Sequence, residues 1–113
     1  MPRDHDRLYP VFLKLAGLPV VVVGGGTVAA AKLDGLLEAG AHVTVVAPAI
    51  CHAIRARSDA PGASLRLIER GFVSSDLDAA RWVVAAATPE VNRQVAAAAA
   101  ARRLFVNAVD DVA

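Results

Sequence analysis

The sequence predicts a doubly wound α/β fold: a parallel sheet of about five strands in the order 3-2-1-4-5, with helices on both faces. Three observations point to it. Short β-branched runs alternate along the chain with Ala/Leu-rich stretches whose polar residues recur at helical spacing. Several runs are apolar at successive rather than alternate positions, as strands buried on both faces are. The first run then passes directly into a glycine triplet that opens a helical stretch. With 113 residues and a hydrophobic fraction of 56%, the chain has room for one domain, residues 1–113, and enough apolar material for its core.

The first strand is read at residues 19–23, Pro-Val-Val-Val-Val. A helix follows from Thr27 to Ala39, with Val28, Ala31, Leu36 and Ala39 compatible with one face and Gly40 where a terminating glycine is expected. The second strand, residues 42–47, leads to a short helix at Ile50–Arg57 and a turn at Ser58-Asp59-Ala60-Pro61-Gly62. The third strand, residues 65–69, alternates in polarity, which places it at a sheet edge. A single helical turn at Ser75–Ala80 joins it to the fourth strand, residues 82–87. The next helix starts at Thr88-Pro89-Glu90: Thr88 can cap, Pro89 suits the first helical position and Glu90 complements the positive end of the helix dipole. It runs through six consecutive alanines to Arg103, and the fifth strand is read at 104–109.

The charge balance, 12 basic against 11 acidic residues, leaves a formal net charge of +1 and no field to attract nucleic acid or an anionic membrane. No apolar run approaches the roughly 20 residues that span a bilayer. Cys51 has no cysteine partner, and the polar start Met-Pro-Arg-Asp-His-Asp-Arg lacks the apolar stretch of a secretory signal, so a cytoplasmic location is expected.

The chemistry gathers at the first strand's end. Gly24-Gly25-Gly26-Thr27-Val28-Ala29 matches G-x-G-x-x-G/A between a strand and a helix, the arrangement of a Rossmann-type dinucleotide site. Gly24 permits the tight turn, Gly26 leaves the backbone open to a pyrophosphate, and Ala29 is small enough for close helix-to-strand packing. Free N–H groups at the helix start can then hold a phosphate without Lys or Arg, and Thr27 can add a hydroxyl. The acid that often grips the ribose after the second strand is missing, the sequence there being Val46-Ala47-Pro48-Ala49, and no Arg stands in its place for a 2′-phosphate.

Ligands of open parallel sheets sit beyond the carboxyl ends of the strands. Besides the glycine turn, that rule selects Pro48 and Ala49, Ala87 and Thr88, and the stretch Asn107, Val109, Asp110 and Asp111. Asp110 is the candidate general base, since an aspartate of ordinary pKa, about 3.9, is ionised at neutral pH. A solvated aspartate beside Asp111 is the ordinary alternative, and spacing alone does not choose between them. His5, His42 and His52 share no face with other ligands, so no metal site is expected. Cys51 has no basic partner in the sequence that would make it a nucleophile.

Taken together, Leu8-Tyr9-Pro10-Val11-Phe12-Leu13, Pro19 to Gly26, Ala29, Lys32 and Leu36-Leu37-Glu38-Ala39-Gly40-Ala41 resemble the N-terminal domain of the siroheme synthase family. The later half agrees through Ala86-Ala87-Thr88, Val91-Asn92 and the Arg103, Asn107, Asp110 spacing. The resemblance implies an NAD-dependent precorrin-2 dehydrogenase that oxidises a reduced tetrapyrrole to sirohydrochlorin, with ferrochelation as a second activity in some members. It implies roles for Asp110 in both steps, and NAD contacts at Thr27, Val28, Pro48 and Ala49. Members of the family continue into dimerisation and helical segments that residues 1–113 do not include, so a homodimer is expected of a full-length protein. Ala30 and Ala31 stand where relatives commonly carry Glu and Arg, and Pro89 replaces an acidic residue or Asn. The competing reading is a non-catalytic NAD- or nucleotide-sensing domain.

Overall fold

A computed structural model describes residues 11–108. Elements follow in the order β1 (Pro19–Val23), α1 (Thr27–Glu38), β2 (His42–Val46), α2 (His52–Ser58), β3 (Leu65–Ile68), a 3-10 turn (Ser74–Leu77), β4 (Trp82–Ala85), α3 (Pro89–Ala101) and β5 (Val106–Ala108). All neighbouring strands are parallel, and the sheet order is β3-β2-β1-β4-β5. This is the Rossmann-type architecture the strand patterns predict, with the alternating third strand at an edge.

Successive valines of β1 serve opposite faces, because side chains alternate along a strand. Val20 and Val22 pack with Val43, Val45, Ala29, Leu33 and Ile54 on the face covered by α1 and α2. Val21 and Val23 pack with Val83, Leu77, Val95 and Ala99 on the face covered by α3 and the 3-10 turn. Two dry cores thus share one sheet, and the buried residues of both are apolar. The six alanines keep α3 thin on its sheet side, where Ala98 and Ala99 are buried.

Several boundaries differ from the sequence expectation. β1 ends at Val23, which pairs with Val46 on one side and Ala85 on the other, so Ala47, Ala86 and Ala87 lose their strand partner and form loops. Glu69 and residues 104–105 likewise fall outside strands, α2 starts two residues late after Cys51 at its N-cap, and the 3-10 turn ends at Leu77. Position 109, the expected end of the fifth strand, lies outside the described residues.

The expected face of α1 is corrected more substantially. Its buried residues are Ala29 and Leu33, with Leu36 half-buried, whereas Val28, Ala31 and Ala39 are exposed. The close approach of α1 to β1 admits only a small residue first, at Ala29, and selects the 29/33/36 stripe. No helix among the described residues is long and apolar enough to cross a membrane.

Candidate functional site

The strand order reverses at β1: β2 and β3 lie to one side, β4 and β5 to the other. In an open parallel sheet such a reversal is where a ligand crevice is expected, and Gly24-Gly25-Gly26 stands at it. Each glycine meets a different constraint. Gly24 has φ +134°, and a Cβ on it would lie 2.3 Å from the Ala86 carbonyl oxygen. Gly25 would bring a Cβ to 2.0 Å from the Ala49 carbonyl oxygen. Gly26 is different, because a Cβ there would meet nothing within 4 Å.

The turn is therefore clasped between two loops, and this brings the expected cofactor residues together. On one side Pro48 and Ala49 follow β2, and the Cys51 amide donates to the Gly25 carbonyl at 2.8 Å. On the other, Ala87 and Thr88 follow β4, tied to β1 by the Ala86 amide donating to the Val23 carbonyl at 2.8 Å. Pro48, Ala49 and Thr88 are exposed and Ala87 is half-buried, so both loops are open to solvent.

Gly26 is the N-cap of α1 and supplies no side-chain acceptor. The first intrahelical bond runs from the Ala30 amide to the Gly26 carbonyl, 3.0 Å. The amides of Thr27, Val28 and Ala29 precede it and find no acceptor among the described residues. A helix start left open in this way favours an anion. Thr27 and Val28 are both exposed at this mouth. The residues thus fit a dinucleotide: the space beside Gly26 has no occupant within the fold, and donors face it.

The start of α3 is closed, by contrast. Thr88 Oγ1 accepts from the Val91 amide at 3.3 Å, as the sequence predicts. Asn92 was visible in the sequence as part of a Val-Asn pair, but its task emerges only from the fold. Its Oδ1 accepts from the Ala87 amide at 2.9 Å while its Nδ2 donates to the Ala87 carbonyl at 3.3 Å. One side chain thereby fixes both backbone groups of the loop that abuts Gly24.

Ion pairs organise the segment that follows β3. Arg70 donates from Nη1 and Nη2 to the Asp76 carboxylate at 3.0 and 2.6 Å, and the Val73 amide also donates to Asp76 at 2.9 Å. These bonds, the guanidinium's foremost, hold the Asp76 carboxyl below the usual carboxylate range. Arg55 donates to Glu69 and, through Nε, to the Ile50 carbonyl at 3.3 Å; its hydrogen bond likewise lowers the Glu69 carboxyl. Asp110, the candidate base, lies outside the described residues, two positions after the last residue of β5. Among the described residues, no three His, Cys, Asp or Glu side chains group as metal ligands.

Comparison with known proteins adds three findings. A family described as "Putative NAD(P)-binding" matches residues 11–113. Siroheme synthase of Xylella fastidiosa (strain M12) is 42% identical over 96% of this chain and 23% of its own length. Siroheme synthase of Pseudomonas entomophila (strain L48) is 45% identical over 89% of this chain and 22% of its own. The chain thus spans less than a quarter of the curated relatives it matches. Among solved structures, SirC, a precorrin-2 dehydrogenase, superposes with a TM-score of 0.69 at 33% identity, covering 78% of this chain and 43% of that one.

Proposed function

The chain belongs to the NAD(P)-binding family whose model spans residues 11–113, and on that premise we propose that it is the cofactor-holding domain of an NAD-dependent precorrin-2 dehydrogenase of sirohaem biosynthesis. The similarity to siroheme synthases and to a precorrin-2 dehydrogenase structure supports the substrate. The observation that carries the cofactor is the open helix start at Gly26, a glycine for which no neighbouring atom of the fold accounts.

In this reading Gly24, Gly25 and Gly26 shape the floor, and the amides of Thr27 and Val28 hold the pyrophosphate. Pro48 and Ala49 flank the adenosine side through backbone, and Ala87 and Thr88 line the wall toward β4. Bound NAD supplies the hydride acceptor for the conversion of precorrin-2 to sirohydrochlorin. Asp110 takes up the accompanying proton, and the same carboxylate would relieve pyrrole nitrogens of theirs in a member that also inserts iron. Residues 1–113 form one domain in this account, and a homodimer belongs to a protein that carries the dimerisation segment of the siroheme synthase family. A cytoplasmic location fits a chain with a single cysteine.

Two measurements test the reading. Calorimetric titration of the chain is expected to show NAD+ binding; a preference for ATP or AMP would instead identify a nucleotide sensor. In the full-length protein, Asp110→Ala is expected to slow sirohydrochlorin formation by at least about a hundredfold, the low end for loss of a general base, while NAD+ still binds. Unchanged turnover would remove Asp110 from the mechanism.

A further inference from the structure

A dinucleotide site distinguishes NAD from NADP at the adenosine ribose, normally through an acid or an arginine placed after the second strand. Here Pro48 and Ala49 occupy that place with no side chain able to do either. The fold delivers charge to the same region from two other elements. Arg55 projects from α2 and bonds the Ile50 carbonyl, within the loop that follows β2. The adjacent Cys51 amide bonds Gly25, so this loop lies directly against the glycine turn. Glu69 comes from the end of β3: the register Val46↔Ile68 continues with the Ala47 amide donating to the Ile68 carbonyl at 3.2 Å, which sets Glu69 beside the β2 exit. Arg55 and Glu69 meet there as an ion pair. The neighbouring Arg70 is taken up separately by Asp76, whose side chain is only 6% exposed.

We propose that Glu69 is the specificity-determining residue for the cofactor's ribose: it occupies Arg55 and sets a negative charge beside the β2 exit, so that the site admits a free 2′-hydroxyl and disfavours a 2′-phosphate. The acid absent from the second strand is supplied in effect by the third. A 2′-phosphate approaching this edge meets a carboxylate, and the guanidinium that would welcome it is already engaged. The inference rests on the crevice holding a dinucleotide, as proposed above.

Titrating the chain with NAD+ and with NADP+ tests it. The unaltered chain is expected to prefer NAD+. Glu69→Gln keeps the side chain's shape at a half-exposed position, and it removes the charge and frees Arg55. The ratio of the two dissociation constants is then expected to move toward NADP+ by about tenfold, and most of that gain is expected to disappear in Arg55→Ala/Glu69→Gln. A ratio unmoved by Glu69→Gln while NAD+ still binds, an initial preference for NADP+, or a gain retained in full by the double variant overturns the inference. Failure of the unaltered chain to bind either dinucleotide overturns the reading beneath it, and this inference falls with it.

Discussion

Gly26→Val is expected to fold normally and to lose NAD+. Gly26 has φ −97°, ordinary extended backbone for any residue, and open space around the missing Cβ. Valine is a poorer N-cap than glycine, so a loss of up to about 1 kcal/mol is anticipated in thermal or denaturant unfolding. The isopropyl group would stand where the proposed pyrophosphate approaches the amides of Thr27 and Val28. Losing two hydrogen bonds to a charged group, each about 1.5–3 kcal/mol, corresponds to at least roughly a hundredfold in dissociation constant. Titration and circular dichroism on one preparation check both halves. NAD+ affinity equal to that of the unaltered chain would show that the helix start is not where the cofactor is held.

Gly25→Ala is expected to fail in the opposite way, through the fold itself. The added Cβ would lie 2.0 Å from the Ala49 oxygen and 2.9 Å from the Ala47 Cβ, so the loop after β2 must move as backbone. That movement pulls on the Cys51 amide bond to Gly25, the tie between α2 and the turn. Overpacking a close-fitted position costs about 1–3 kcal/mol or more, a large part of the 5–15 kcal/mol that holds a typical domain. A fall in Tm of roughly 10 °C is the expected reading for a domain this small. An unchanged Tm would mean that the clasp between the two loops is looser than its distances imply. The adjacent glycines thus separate by assay: one answers to stability, the other to binding.

Much of the fold could be read from the residues because the signals were redundant. Continuous valine runs marked β1 and the central strands, alternation marked β3 as an edge, and Thr88-Pro89-Glu90 marked the start of α3. The face of α1 was harder, since a helix of alanines interrupted by a few larger residues offers several stripes of nearly equal hydrophobicity, and only the distance to β1 selects Ala29 and Leu33. Strand ends were overrun because Ala47, Ala86 and Ala87 are as apolar as strand residues; what ends the strands is the loss of a partner at Gly24. At the site, the glycine triplet announced the crevice but not which contact each glycine answers to. Asn92 around Ala87, and Arg55 with Glu69, join residues from different elements, and no local pattern encodes such pairings.

The position of β1 also governs how this chain must assemble. It is the first of the described strands to be made, yet its two partners are β2 and β4, the latter meeting Val20 only when Trp82 has been synthesised. Until then its Val21 and Val23 side chains have no α3 to lie under, and one of its hydrogen-bonding edges is open to any other extended chain. Contacts between residues so distant in sequence form slowly. The newborn polypeptide therefore passes through a stage in which its most apolar segment is its least protected, and shielding of that segment during synthesis bears directly on how much of the protein reaches its native state.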